Sequence, residues 1–158
     1  MVHRGIATLA GLLMLCYMFL SHLEPDFFLL HLYQSLIYLV IILMLFYFED
    51  HYAYMLGMMA PTVWIVMSLS TGLMGMALRQ VKWIFFPPYP GHKADAVALM
   101  AAVTAVLAVL MIGFCAYRWK REFAGMGRGL STFFVSLGVI VVYYGVLVFL
   151  FTKMIGPR

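Results

Sequence analysis

Residues 27–79 read FFLLHLYQSLIYLVIILMLFYFEDHYAYMLGMMAPTVWIVMSLSTGLMGMALR, two long apolar runs joined at Glu49-Asp50-His51. Between Asp26 and Glu49 there is no Asp, Glu, Lys or Arg. At ~1.5 Å rise per residue, such a run is long enough to cross the ~30 Å hydrocarbon layer of a bilayer. A link as short as 49–51 leaves the two helices only an antiparallel arrangement. The stretch is therefore read as a membrane helical hairpin, and the rest of the chain is built around it.

Each helix of the hairpin carries a polar stripe. On the first, His31, Gln34, Ser35 and Tyr38 fall at i, i+3, i+4 and i+7 and share one face. On the second, Ser68, Thr71, Gly72, Gly75 and Arg79 do the same. Folding about residue 50 brings His31 level with Ser70 and Thr71, so the two stripes meet in one leaflet. The half nearer the turn, Ile41 to Leu45 against Met55, Met58, Met59 and Pro61, offers little to bond with.

The composition agrees with this class. Of 158 residues, 66% are hydrophobic and 10% charged, with a mean hydropathy of +1.02. Soluble domains use apolar residues at roughly 45–50%. Spanning segments and their links take up almost the whole chain, so any activity sits within or at the edge of the bilayer. The net charge of +4 is spread over helix ends, where Lys and Arg meet headgroups, and is not a nucleic-acid patch. Cys16 and Cys115 both fall inside spans without CxxC pairing, which argues against a redox dithiol or a zinc site.

Five spans are expected, at about 5–21, 27–48, 54–78, 94–117 and 130–152, forming one transmembrane domain over 1–158. The first is read as a retained helix, because no small-residue cleavage site follows it. Pro25 ends it by biasing Glu24 out of the helical region, which leaves Asp26 to cap the next helix. Pro61 removes one backbone hydrogen bond from the third span, whose freed carbonyl passes to Thr62 or a neighbour. Gly72 and Gly75 permit a close helix approach, and Ser131, Gly138 and Gly145, seven residues apart, mark a second small-residue seam. Arg79 to Lys93, with Trp83, Phe85, Phe86 and Tyr89 interleaved with cations before Pro87-Pro88-Tyr89-Pro90-Gly91, has the composition of a loop lying in the headgroup zone. The fold expected is thus an all-α membrane protein, a five-helix up-and-down transmembrane bundle with an interfacial loop between helices 3 and 4.

Positive charge divides evenly between the two sides. Arg4, Arg118, Lys120, Arg121 and Arg128 stand against Arg79, Lys82, Lys93, Lys153 and Arg158. The dense 118–128 cluster tips the choice toward a cytoplasmic N-terminus, in a prokaryotic inner membrane.

Two constellations bear on chemistry. His22, Glu24, Asp26 and His31 surround the first turn, with His92 and Asp95 at the end of the long loop. His22, His31 and His92 are candidate metal ligands, and His22 with His31 candidate axial ligands of haem b. Against this, polar residues in terminal turns ordinarily meet water and headgroups. The stripe His31, Gln34, Ser35, Tyr38, Ser68, Thr71 and Arg79 is the candidate cofactor site: a quinone, an apolar ring with two carbonyl acceptors, would suit it. Ordinary interhelical hydrogen bonding, at about 0.6 kcal/mol per contact, would use the same residues. The 14 methionines are scattered over several faces and read as packing.

No Asp, Glu, Lys or Arg lies near the middle of any span, which argues against ion-coupled transport. The function expected is that of a non-catalytic subunit of a larger membrane complex, held by helix packing to other membrane subunits and bound lipid. An energy-transducing complex, respiratory or photosynthetic, is the setting expected. A haem- or quinone-binding anchor of an electron-transfer complex is the first alternative and a small channel or facilitator the second.

Overall fold

A computed structural model describes residues 3–47, 50–86, 95–123 and 129–155. They form six helices, α1 His3–Leu23, α2 Phe28–Phe46, α3 Asp50–Ser70, α4 Leu73–Phe85, α5 Ala96–Phe123 and α6 Gly129–Ile155, with a 3-10 turn at Pro25–Phe27. Among the described residues there is no strand. All but α4 are long and apolar enough to cross a membrane.

The third predicted span is broken. A continuous helix over 54–78 was expected, but α3 stops at Ser70 and α4 starts at Leu73. Gly72 between them has φ of 77°, the left-handed region in which glycine carries no Cβ penalty. The hydroxyls before it complete the stop. Ser70 Oγ donates to the Met67 carbonyl at 2.7 Å, and Thr71 Oγ1 to the Met67 and Ser68 carbonyls at 3.0 and 3.3 Å. The Met67 carbonyl also keeps its backbone bond from Thr71 N–H at 3.0 Å, whereas Gly72 N–H turns to the Leu69 carbonyl and leaves the Ser68 carbonyl to the Thr71 hydroxyl.

One consequence is a second correction. Arg79 does not continue the face of Ser68 and Thr71, because the two sides of the break are different helices. Nor is the segment from Arg79 a loop throughout, since its first part belongs to α4, where Ala77 and Gln80 are buried. Thirteen residues rise about 20 Å, too little to cross the hydrocarbon layer. The proline run at 87–91 and the glycine-containing link at 124–128 lie outside the described residues.

α1 packs mainly on α2 and α5, and α5 on α3, α1 and α4. The α1 core stripe is Ile6, Ala10, Leu13, Tyr17 and Leu20, spaced three and four residues apart on one face. The residues that α5 buries are mostly small, Ala98, Ala101, Thr104 and Ala108 ahead of Met111 and Cys115. That small face explains how the span with the least polar character comes to touch three neighbours.

Among the described glycines, the tightest surroundings are not at the expected ones. A Cβ built on Gly57 would lie 2.7 Å from Cys115 Sγ and 3.2 Å from Met111 Cε, whereas one on Gly72, Gly75, Gly138 or Gly145 meets nothing within 4 Å. α6 turns Thr132, Ser136, Ile140, Tyr144 and Leu147 inward, leaving its glycines on the other side. Beside Pro61, Thr62 Oγ1 donates to the Met58 carbonyl at 2.7 Å and Tyr144 Oη, from α6, to the Ala60 carbonyl at 2.9 Å. Around Pro61, α3 is therefore tied by a neighbouring helix as well as by its own threonine.

Candidate functional site

At the end of the bundle where α1 stops and α2 starts, the helices leave a cavity of about 440 Å³. Its position follows from the turn. The Glu24 amide still bonds the Leu20 carbonyl at 2.9 Å, Pro25 then opens the 3-10 turn, and Phe27 N–H closes it on the Glu24 carbonyl at 3.0 Å. Asp26 falls inside that turn, and α2 starts from Phe27, so the expected Asp26 cap is not formed. Seven residues after Glu24, His31 faces back toward it, with Nε2 3.0 Å from Glu24 Oε2.

Four of the seven residues expected to form a cofactor site line this cavity, His31 and Gln34 from α2, Ser68 at the end of α3, and Thr71 at the break. The sequence register that set His31 level with Thr71 accounts for their meeting. Ser35 is buried and donates to the Leu32 carbonyl at 2.7 Å, outside the lining. Tyr38 lies one layer deeper, stacked on Tyr17 with ring centroids 5.6 Å apart; Tyr17 in turn meets Trp64 edge-on at 6.4 Å. Since Tyr17 and Trp64 both line the cavity, Tyr38 supports its floor without reaching it. Arg79 is exposed on α4 and takes no part.

The remaining wall is apolar or aromatic: Leu20 of α1, Phe27 and Leu30 near the turn, Met67 of α3, Leu73 and Met76 of α4, Val97 and Ala101 of α5, and Leu147 and Val148 of α6. Every helix contributes. Asp95 stands at the rim and caps α5, its Oδ1 accepting from the Val97 and Ala98 amides at 3.0 and 3.3 Å. Tyr17 and Trp64 are the residues that polarity and spacing overlooked. Their signal was weak: Trp64 lies one helical turn before Ser68 on α3, and Tyr17 sits on α1, which carries no stripe of its own, so the two become meaningful only when three helices are placed together.

His31 carries the most unusual environment. Its side chain is 12% exposed, and while Nε2 meets Glu24, Nδ1 is buried with no hydrogen-bond partner. Buried polar atoms are ordinarily paired, so an unpaired one on a cavity-lining ring marks where a ligand group would bond. The volume falls within the 300–1,000 Å³ range, roughly, of small-molecule sites, and a few convergent polar groups on an apolar wall are the usual makeup of such sites.

Of the histidines expected to share a metal or haem, His22 and His31 border different cavities. His22 is exposed and borders a separate groove with Met18, Ser21, Pro25 and Phe28, while His31 faces the cavity; His92 lies outside the described residues. Among the described residues no group of three His, Cys, Asp or Glu is placed to hold a metal ion. Comparison of the chain with protein-family models, with curated proteins and with solved structures finds no match.

Proposed function

We propose that this protein is a non-catalytic integral membrane subunit that holds a lipid-soluble molecule between its helix ends. The observation that supports this best is the cavity of about 440 Å³, with Glu24, His31, Gln34, Ser68, Thr71 and Asp95 as its polar and charged residues and a wall otherwise apolar and aromatic. In this reading five helices cross the membrane up and down and α4 lies at headgroup level with Arg79 and Lys82 outward. The N-terminus is cytoplasmic, in a prokaryotic inner membrane. Quinone and haem b stay as the cofactors expected from the sequence, and a single lining histidine is one fewer than the pair of axial histidines expected for haem.

Native mass spectrometry after mild-detergent extraction tests the binding reading. The expected result is a lipid-soluble molecule retained at one per chain and lost from Val97→Trp, which fills the cavity from its rim. A chain that retains nothing, with no haem absorbance and no extractable quinone, overturns it.

A place in a larger, energy-transducing complex is favoured by a separate feature. Gly138 and Gly145 on α6 have open space where a Cβ would stand, so another helix has room to approach there. The same extraction followed by a native gel should show reproducible partners. Migration as a lone chain in its detergent belt overturns the subunit reading.

A further inference from the structure

We propose that the cavity selects amphiphiles whose head group is an ammonium. This rests on the reading of the cavity as a binding site and names the chemistry it takes.

The charge at the site is one-sided. Glu24 and Asp95 both line the cavity, and among the described residues no Lys or Arg does. Arg79 and Lys82 are exposed on α4 and outside the wall. A carboxylate or phosphate head would meet two like charges with no Arg or Lys among the described wall residues to pair with, which disfavours its charged form.

Hydrogen-bonding capacity points the same way. Glu24 only accepts, so the His31–Glu24 contact places the proton on His31 Nε2. In the neutral ring Nδ1 then keeps its lone pair, and that buried atom has no partner. Thr71 gives its hydroxyl proton to the Met67 carbonyl, which turns the remaining lone pairs of Oγ1 to accepting. An ammonium offers N–H donors to these acceptors. Tyr17, Phe27 and Trp64 add aromatic rings to the same wall, and aromatic rings attract cations. A quinone brings acceptors only and leaves Nδ1 as it is.

The test uses the full chain in phosphatidylcholine nanodiscs, with decylamine, decanol and decanoate as probes and empty nanodiscs subtracted. Decylamine is expected to bind about tenfold more tightly than decanoate, with decanol between them. Glu24→Gln with Asp95→Asn, which keep the hydrogen-bond geometry, should bring the three probes to near parity, and Val97→Trp should weaken all three. Equal or tighter binding of decanol or decanoate overturns the ammonium inference while leaving a binding cavity. Binding of no probe above the empty nanodiscs overturns both.

Discussion

Tyr33 on α2 and Tyr143 on α6 each bond the other's backbone: Tyr33 Oη donates to the Tyr143 carbonyl at 3.2 Å, and Tyr143 Oη donates to the Tyr33 carbonyl. Their rings stack with centroids 4.6 Å apart. Tyr143 Oη also accepts from the Ile37 amide at 3.2 Å, so it engages the carbonyl and amide of one i to i+4 step of α2. α2 and α6 touch little elsewhere, which leaves this clasp as their main polar tie.

Removing one hydroxyl should therefore loosen α6 while the rings stay stacked. Tyr143→Phe is expected to cost about 0.5–1.5 kcal/mol and Tyr33→Phe less, since Tyr143 makes two of the three bonds. Thermal unfolding in one detergent, with the double variant, checks this. Strict additivity of the two losses would show that the reciprocal bonds do not act as a pair.

Gly57 supports a sharper expectation. An added Cβ would fall 2.7 Å from Cys115 Sγ, closer than side-chain packing allows, so Gly57→Ala should destabilise by about 1–3 kcal/mol. Cys115→Ala removes the clashing sulfur and should recover much of that loss in the double variant. No recovery would mean that α3 and α5 do not meet at this point.

The break at Gly72 has its own control. Gly72→Ala puts a Cβ on a residue with φ of 77° and should cost about 1 kcal/mol or more. Gly75, inside α4 with nothing within 4 Å of an added Cβ, should gain up to about 1 kcal/mol as alanine. Opposite signs in the same unfolding assay are the expected result; a neutral or stabilising Gly72→Ala would count against the left-handed turn.

The apolar runs made the five long helices legible, because an uninterrupted stretch of that length has few alternatives. Antiparallel register was enough to bring His31, Gln34, Ser68 and Thr71 together. What register could not convey was the break after Ser70. Ser70, Thr71 and Gly72 look like a small-residue helix face when only spacing is read, and the helix stops there because Gly72 turns left-handed and the Thr71 hydroxyl takes up the Ser68 carbonyl. The error carried forward to Arg79, which was placed on a face it does not share. Gly57 was passed over for a related reason, since a lone glycine shows no repeat until Cys115 is seen opposite it.

The number of crossings decides where the termini lie. Five helices are long and apolar enough to span, and α4, at 13 residues, is not. With α4 confined to one surface, the chain crosses an odd number of times. Reporters fused before Met1 and after Arg158 should then report from opposite sides of the membrane, the first from the cytoplasm if the Arg118, Lys120, Arg121 and Arg128 cluster sets the orientation. Both reporters on one side would mean either that α4 crosses after all or that one of the long helices does not. Reporters inserted at residues 72 and 90, on either side of α4, separate these cases. If α4 stays at the surface the two report from the same side, and only a crossing of α4 puts them on opposite sides.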